Sequence, residues 1–211
     1  MIGIEKLLTG PLGVNTYIVY REGERSCVLI DPAELKKVKK RLDELSLKCE
    51  AILLTHGHFD HIMGVAALKN EYGARVYIHK NDAAALYDDK INLSVMAGTH
   101  VEPSKADVLL EGGEKLKLAA MEFDVISTPG HTSGGVSYIL EEEKTVFSGD
   151  TLFRLSVGRC DLPGGDEETL LHSIVYKLFE LKGDYKVLPG HIRETTLDFE
   201  RENNPYTRRW G

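Results

Sequence analysis

The stretch THGHFDH, residues 55–61, decides how the chain is read. It sets His56, His58, Asp60 and His61, four side chains able to bind a metal, within six residues. Donors this close together do not share one face of a helix. They suit a loop, from which alternate side chains diverge toward two neighbouring ions. The run before it, AILL at 51–54, is short and apolar, as a buried strand is. The run after it, DHIMGVAALKNEYG, opens a helix. A strand end that passes through a loop into a helix is a rigid platform for a site. The pattern points to a two-metal hydrolase whose remaining ligands lie further along the chain.

Working back from the loop, IGIEKLL (2–8), NTYIVYR (15–21) and SCVLIDP (26–32) are β-branched and aromatic runs between turn residues, and read as three strands. AELKKVKKRLDELS repeats Leu35, Val38, Leu42 and Leu45 at helical spacing, with lysines on the solvated face. CEAILLT is the strand that delivers the loop. The helix after it should run from about Asp60 to Tyr72, with Ile62, Val65, Ala66, Leu68 and Tyr72 inward and Gly73 as its stop. ARVYIH (74–79) is a further strand. This alternation favours a layered α/β arrangement. NDAAALYD suggests a short helix. Lys90 to Ser104 lacks periodicity and reads as a connecting or lid-like segment.

Working forward, DVLLEGGEKLKLAAMEFDVISTPGH contains several short strands with a turn at Gly112–Gly113. GVSYILEEEKTVFSGD reads as a hairpin turning at 141–143, and 151–165 as a Gly- and Pro-containing loop. Asp166 should cap a helix whose first turn holds Glu167 and Glu168 and whose buried stripe is Leu171, Ile174, Val175 and Leu178. YKVLP is a last strand and ETTLDFEREN a last short helix. STPGH, FSGD and VLPGH each end a strand and deliver His131, Asp150 and His191. Several strands ending at one edge would collect a loop-built site there.

The bulk numbers fit this reading. A chain of 211 residues is long enough for one substantial core, or for two closely packed halves. Its net charge, 26 − 33 = −7, argues against a general nucleic-acid binder. No apolar run reaches the length of a membrane span, and the N-terminus lacks the pattern of a secretory signal. Cys27, Cys49 and Cys160 are odd in number and far apart, so a disulfide framework is not expected and a reducing, cytoplasmic setting fits. The expected partner is a small molecule rather than a nucleic acid or a membrane, and the expected state a monomer or homodimer.

A closed structural zinc site would use mostly cysteine. The candidates here are histidines and aspartates, which suit zinc, iron or manganese. Three ligands for each of two ions, plus one shared carboxylate, use His56, His58, Asp60, His61, His131, Asp150 and His191 without remainder. Asp150 is the best bridge, because its two oxygens can each hold one ion. His79, His100 and His172 read as packing or surface residues.

THGHFDH, STPGHTSGG, FSGDTLF and LPGH, in this order, resemble the metallo-β-lactamase superfamily, and most closely its glyoxalase II-like hydrolases. NTYIVY, LIDPA and ENNPY extend the likeness over nearly the whole chain. The resemblance implies a four-layer αββα sandwich formed by 1–211 as one domain, with the site along one edge. It implies that His56, His58 and His131 hold one metal, that Asp60, His61 and His191 hold the other, and that Asp150 bridges them. Zinc is the expected metal, with iron or manganese as alternatives.

The implied activity is hydrolysis of an acyl thioester such as S-lactoylglutathione, by a hydroxide held between the two ions. Asp60 could also orient that hydroxide and accept its proton. No GxSxG occurs, and none is needed. The chain departs from the family pattern in two places. Full-length glyoxalase II enzymes continue into a helical domain that helps bind glutathione, whereas this sequence ends at NPYTRRWG, 20 residues after His191. Ile192 stands where the family often has glycine. Arg154 and Arg159 are candidate carboxylate grips in the substrate site, although Arg159 could instead pair with Asp161 and brace its own loop. Asp31 and Asn15 could orient ligands or cap turns. GRCDLPGG followed by LLHSIVYKLFEL also resembles the persulfide dioxygenase branch, which uses a single iron. A metal-dependent phosphodiesterase is a further alternative on the same scaffold.

Overall fold

In a computed structural model, residues 1–208 of the chain are described; the last three residues of NPYTRRWG, and so the end of the expected 1–211 domain, lie outside them. Strands β1 (Ile2–Thr9), β2 (Val14–Arg21) and β3 (Ser26–Ile30) form an antiparallel meander. Helix α1 (Leu35–Leu45) then crosses to β4 (Lys48–Leu53), which is parallel to β3. Helices α2 (Phe59–Ile62) and α3 (Val65–Tyr72) lead to β5 (Arg75–His79), and β6 (Val108–Leu110) completes the first sheet in the order β1-β2-β3-β4-β5-β6.

The second half supplies β7 (Lys115–Leu118), β8 (Met121–Ser127), β9 (Val136–Leu140) and β10 (Thr145–Gly149), followed by a small ribbon of β11 (Leu152–Phe153) and β12 (Ser156–Val157). Helix α4 (Glu167–Ser173), β13 (Lys186–Pro189), β14 (Thr195–Thr196) and α5 (Leu197–Asn203) follow. The second sheet has the order β14-β13-β10-β9-β8-β7. Strands β10 and β13 are parallel, and their ends reach the same edge.

Three apolar layers hold these elements together. Val38, Leu42 and Leu68 of the helices pack on Ile52 and Leu54 outside the first sheet. Tyr17, Leu53, Phe123, Tyr138 and Phe147 fill the space between the sheets. Leu170, Ile174 and Leu197 cover Val146 and Val187 outside the second sheet. The order is helix, sheet, sheet, helix, the αββα sandwich. Central strands are therefore buried on both faces, which is why VSYIL and TVFSG show no alternation. Full burial of a side chain such as Phe123 or Phe147 contributes about 1.5–3 kcal/mol. The Tyr138 hydroxyl donates to the Leu54 carbonyl (2.8 Å), which ties the second sheet to the strand end that delivers the ligand loop.

Four local expectations need correction. The helix from Asp60 to Tyr72 is broken at Met63–Gly64. Gly64 packs directly on the chain after β3: a Cβ there would lie 2.6 Å from the Pro32 carbonyl oxygen, to which its own amide donates (3.1 Å). NDAAALYD does form a short helix, but of 3-10 rather than α type, over Lys80–Leu86. The 151–165 loop contains the β11–β12 ribbon. Finally, α4 runs into a π-helical turn at Ile174–Leu178, and the buried stripe is Leu170, Leu171, Ile174 and Leu178, with Val175 half-buried.

Other expectations hold. Gly73 ends α3 with φ 67°. Asp166 caps α4 by accepting from the Thr169 amide (2.7 Å). The hairpin turns at 141–143. Cys27 and Cys49 are buried, Cys160 is half-buried, and all three are unpaired. Among the described residues, no helix is long and apolar enough to cross a membrane.

Candidate metal centre

Four strand ends converge at one edge. β4 delivers THGHFDH, β8 the loop to His131, β10 Asp150, and β13 the turn to His191. Asp60 and His61 sit in the single turn of α2, while His56 and His58 precede it in extended chain. That change of backbone splits the four side chains into two directions. His56, His58 and His131 bring one ring nitrogen each within 4.8 Å of one another, as do the donor atoms of Asp60, His61 and His191. Asp150 stands between the groups. Its Oδ1 is 3.5 Å from His61 Nε2, and its Oδ2 is 3.6 Å from His131 Nε2 and 3.7 Å from His191 Nε2. All seven residues expected from the sequence meet at this edge.

Their surroundings fix how each ring points. Asp31, at the end of β3, accepts from the Thr55 amide (2.8 Å) and hydroxyl (2.6 Å), and its Oδ2 lies 2.9 Å from His61 Nδ1. That contact turns His61 Nε2 toward Asp150 and Asp60. Asp31 also lies near His56 and His61 in ligand-like geometry. Because both of its oxygens are engaged with Thr55 and His61, it orients His61 directly, and His56 through the Thr55 hydroxyl (3.1 Å from His56 Nδ1), rather than offering a free donor. The Arg159 carbonyl, 2.7 Å from His131 Nδ1, leaves Nε2 of that ring facing the cluster. Such contacts outside the ligand set raise donor basicity and hold the tautomer. Asn15 acts one step further out. Its Nδ2 donates to the Pro189 and Ile192 carbonyls (2.9 and 2.8 Å) and braces the turn that carries His191. Ile192 itself adopts φ 58°, a region where glycine is at ease and a β-branched residue is strained. This is the position at which the family often has glycine.

Asp82 has a part the sequence did not reveal. Its Oδ2 accepts from the Gly57 amide (2.9 Å) and the Thr132 hydroxyl (2.7 Å), so it joins the loop of His56 and His58 to the loop of His131. The only signal was an aspartate in the first turn of a short helical segment. His79, His100 and His172 stay outside the cluster: His79 accepts from the Asn81 amide, His100 pairs with Asp89, and His172 lies beside Tyr176.

The donor set fits metal ions. His56 Nε2, His61 Nε2 and Asp150 Oδ1 are buried without a hydrogen-bond partner. Buried polar atoms rarely go unpaired, and those that do call for a missing partner. The protonation pattern agrees. Burial, helped by neighbouring histidines, holds His56 well below its ordinary value. Burial also pushes His58 down to about 3, with His131 and His61 adding to it. Both rings are neutral, as metal ligands must be. For His61, burial opposes the charge, but Asp150, Asp60 and Asp31 overcome it and raise the ring to about 10. Burial likewise opposes ionisation of Asp60, and His61 and His191 outweigh it to hold the carboxyl at about 2. In the metal-free protein, the proton on His61 neutralises a carboxylate cluster that a cation would otherwise neutralise, so metal binding should release it.

A pH dependence follows. Unfolded histidine titrates near 6.5. Stability from keeping His56 and His58 neutral is present above that value and lost as pH falls from 6.5 toward the His58 value of about 3. Stability from protonated His61 is present below 6.5 and lost as pH rises through about 10. Metal-free protein should therefore unfold at its highest temperature near pH 6.5 and at lower temperatures on both sides. Thermal unfolding of chelator-treated protein across pH 5–9 checks this; a midpoint that rises steadily to pH 9 would contradict it.

A cleft of about 580 Å³ opens beside the cluster, with His58, Asp60, His131, Asp150 and His191 on its wall. Arg159 reaches this wall, but its Nε and one terminal nitrogen fork onto Asp161 (2.7 Å each). Arg154 does not line the cleft. Its guanidinium lies over the Phe199 ring of α5, 4.2 Å from the centroid.

The fold and this edge of histidines and aspartates define a class that comparison with known proteins makes explicit. The profile of the Metallo-beta-lactamase superfamily matches residues 9–191, and the chain belongs to that superfamily. Probable metallo-hydrolase YqgX of Bacillus subtilis is 37% identical over 95% of each chain. Hydroxyacylglutathione hydrolase GloC of Haemophilus influenzae is 34% identical over 88% of this chain and 89% of its own. The crystal structure of BLEG-1 B3 metallo-beta-lactamase superposes with a TM-score of 0.94 at 36% identity, covering 98% of this chain and all of that one (100%). TTHA1623, solved in a di-iron-bound form, gives 0.85 at 38% identity, over 96% of this chain and 99% of its own. The chain is thus a member of the metallo-hydrolase superfamily, with His/Asp groups suited to divalent metal.

Proposed function

We propose that the protein is a dinuclear metal-dependent hydrolase of acyl thioesters, with His56, His58 and His131 holding one ion, Asp60, His61 and His191 the other, and Asp150 between them. The observation that carries this reading is the position of the Asp150 carboxylate, with one oxygen toward His61 and the other toward His131 and His191. Bound there, two divalent ions supply a nucleophilic oxygen at neutral pH and a Lewis acid for the carbonyl. The protein's own groups do the positioning. Asp31 and the Arg159 carbonyl hold His61 and His131 in place, and Asp82 keeps their loops at a set spacing. Asp60, on the cleft wall, is placed to accept a hydrogen bond from the attacking water. In the reaction the acyl carbon gains a C–O bond from water and loses its C–S bond, and the departing thiolate takes up a proton. A thiolate leaves without a dedicated acid, and among the described residues no carboxyl, histidine, lysine, tyrosine or cysteine side chain outside the ligand set lines the cleft.

The GloC relative, named for hydroxyacylglutathione hydrolysis, supports the thioester class. The di-iron form of TTHA1623 supports a two-ion load while leaving iron beside zinc as the metal. The test is turnover of S-lactoylglutathione and simpler acyl thioesters by the parent and by His58→Ala, which should lose about a hundredfold or more. A variant as fast as the parent would remove the site from the reaction. Oxygen uptake on glutathione persulfide with one iron per chain would replace hydrolysis by the dioxygenase alternative.

A further inference from the structure

We propose that the cleft beside the His/Asp cluster selects thioesters whose acyl group carries an apolar chain. This deepens the thioester reading and rests on it. Away from the ligands, the wall is built mainly from Leu12, Leu93, Met96, Phe153, Val157 and Leu162. The apolar surface begins at the cluster itself. Phe59 lies between His58 and Asp60 in the chain and lines the same wall, and the Phe153 ring centroid is 6.5 Å from that of His191. A chain attached to the reacting carbonyl meets this surface first. At the mouth, Leu12 from the β1–β2 turn is 58% exposed and Met96 from the irregular 90–104 segment is 71% exposed. Apolar side chains left in water at the rim of a cleft next to a reactive centre mark a surface that a ligand covers.

Charge argues the same way. A glutathione thioester brings two carboxylates and an ammonium group, and each needs a partner if it is buried. Arg159 is the one Lys or Arg side chain on the wall, among the described residues, and its fork is already engaged by Asp161. A hydrocarbon chain makes no such demand. Its transfer to the cleft gains about threefold to fourfold in kcat/KM for each methylene that leaves water. A volume of about 580 Å³ is of the size that encloses a small organic ligand.

The experiment is a chain-length series on one thiol: N-acetylcysteamine thioesters from acetyl to decanoyl, with S-lactoylglutathione alongside, on the metal-loaded protein. The expected result is a kcat/KM that climbs about threefold per methylene until the cleft is filled, with S-lactoylglutathione below the longer members. Leu12→Glu and Met96→Glu, both at exposed positions, should flatten the climb while metal content and unfolding temperature stay at parent values. A flat series in the parent, a slope unchanged in both variants, or a preference for S-lactoylglutathione over octanoyl overturns the chain inference and leaves thioester hydrolysis standing. Failure of the loaded parent to cleave any member overturns the thioester reading, and the inference with it.

Discussion

Asp150→Asn is expected to lower the proposed thioester turnover by about a thousandfold and to reduce bound metal from about two ions per chain to one or fewer. The substitution keeps the shape of the side chain and changes only its donors. Asp150 presents one oxygen toward His61 and the other toward His131 and His191. Asparagine has a single acceptor oxygen, and its amide N–H groups cannot ligate a cation. Whichever way it is turned, an amide that cannot ligate faces either His61 or the His131/His191 pair, and the negative charge shared between the two groups is gone. Steady-state kinetics with metal analysis on the same sample check both halves. Parent-like turnover and metal content would show that Asp150 is not the link between the sites.

Asp31→Ala should act through the ligands rather than on substrate. It is expected to cost about 3–5 kcal/mol of stability in the metal-free protein. It should also weaken metal binding about 10–100-fold. Three groups depend on this carboxylate: the Thr55 amide, the Thr55 hydroxyl and His61 Nδ1. Removing it leaves a buried N–H without a partner and a buried His61 cation with one less counter-charge. The backbone adds to the loss. Asp31 sits at φ 49°, a left-handed conformation that aspartate and asparagine tolerate better than alanine. Asp31→Asn should therefore retain more stability than Asp31→Ala while still weakening metal binding. Chemical denaturation of chelator-treated protein, with chelator competition for affinity, separates the two effects. Equal losses in both variants would place the whole role in the carboxylate and none in the backbone.

The cluster of candidate donors was legible in the sequence because its chemistry is local and dense. Four donors in THGHFDH leave few other readings, and STPGH, FSGD and LPGH mark strand ends by their turn residues. The αββα order came from the resemblance, since periodicity alone leads only as far as a layered α/β fold. The rest depended on contacts between distant segments. Gly64 looks like an ordinary helical residue until the approach of Pro32 shows why no side chain fits and why the helix breaks. The stripe on α4 and the turn after it is centred on Leu170, Ile174 and Leu178, at i, i+4 and i+8, and which edge of that face is covered, Leu170 rather than Val175, depends on the sheet beneath it. Asp82 is one aspartate in an unremarkable run, and its role exists only because Gly57 and Thr132 come to it from two other loops. Arg154 and Arg159 showed the converse. Both were candidate grips for a substrate carboxylate; Phe199 covers Arg154, while Arg159 takes the alternative its sequence offered, the pair with Asp161.

The most direct measurement is a metal count on the purified protein, read together with its hydrolysis of acyl thioesters before and after chelation. About two ions per chain are expected, with turnover abolished by the chelator and restored by adding metal back. A single ion per chain, or thioester turnover that persists in metal-stripped protein, would contradict the account.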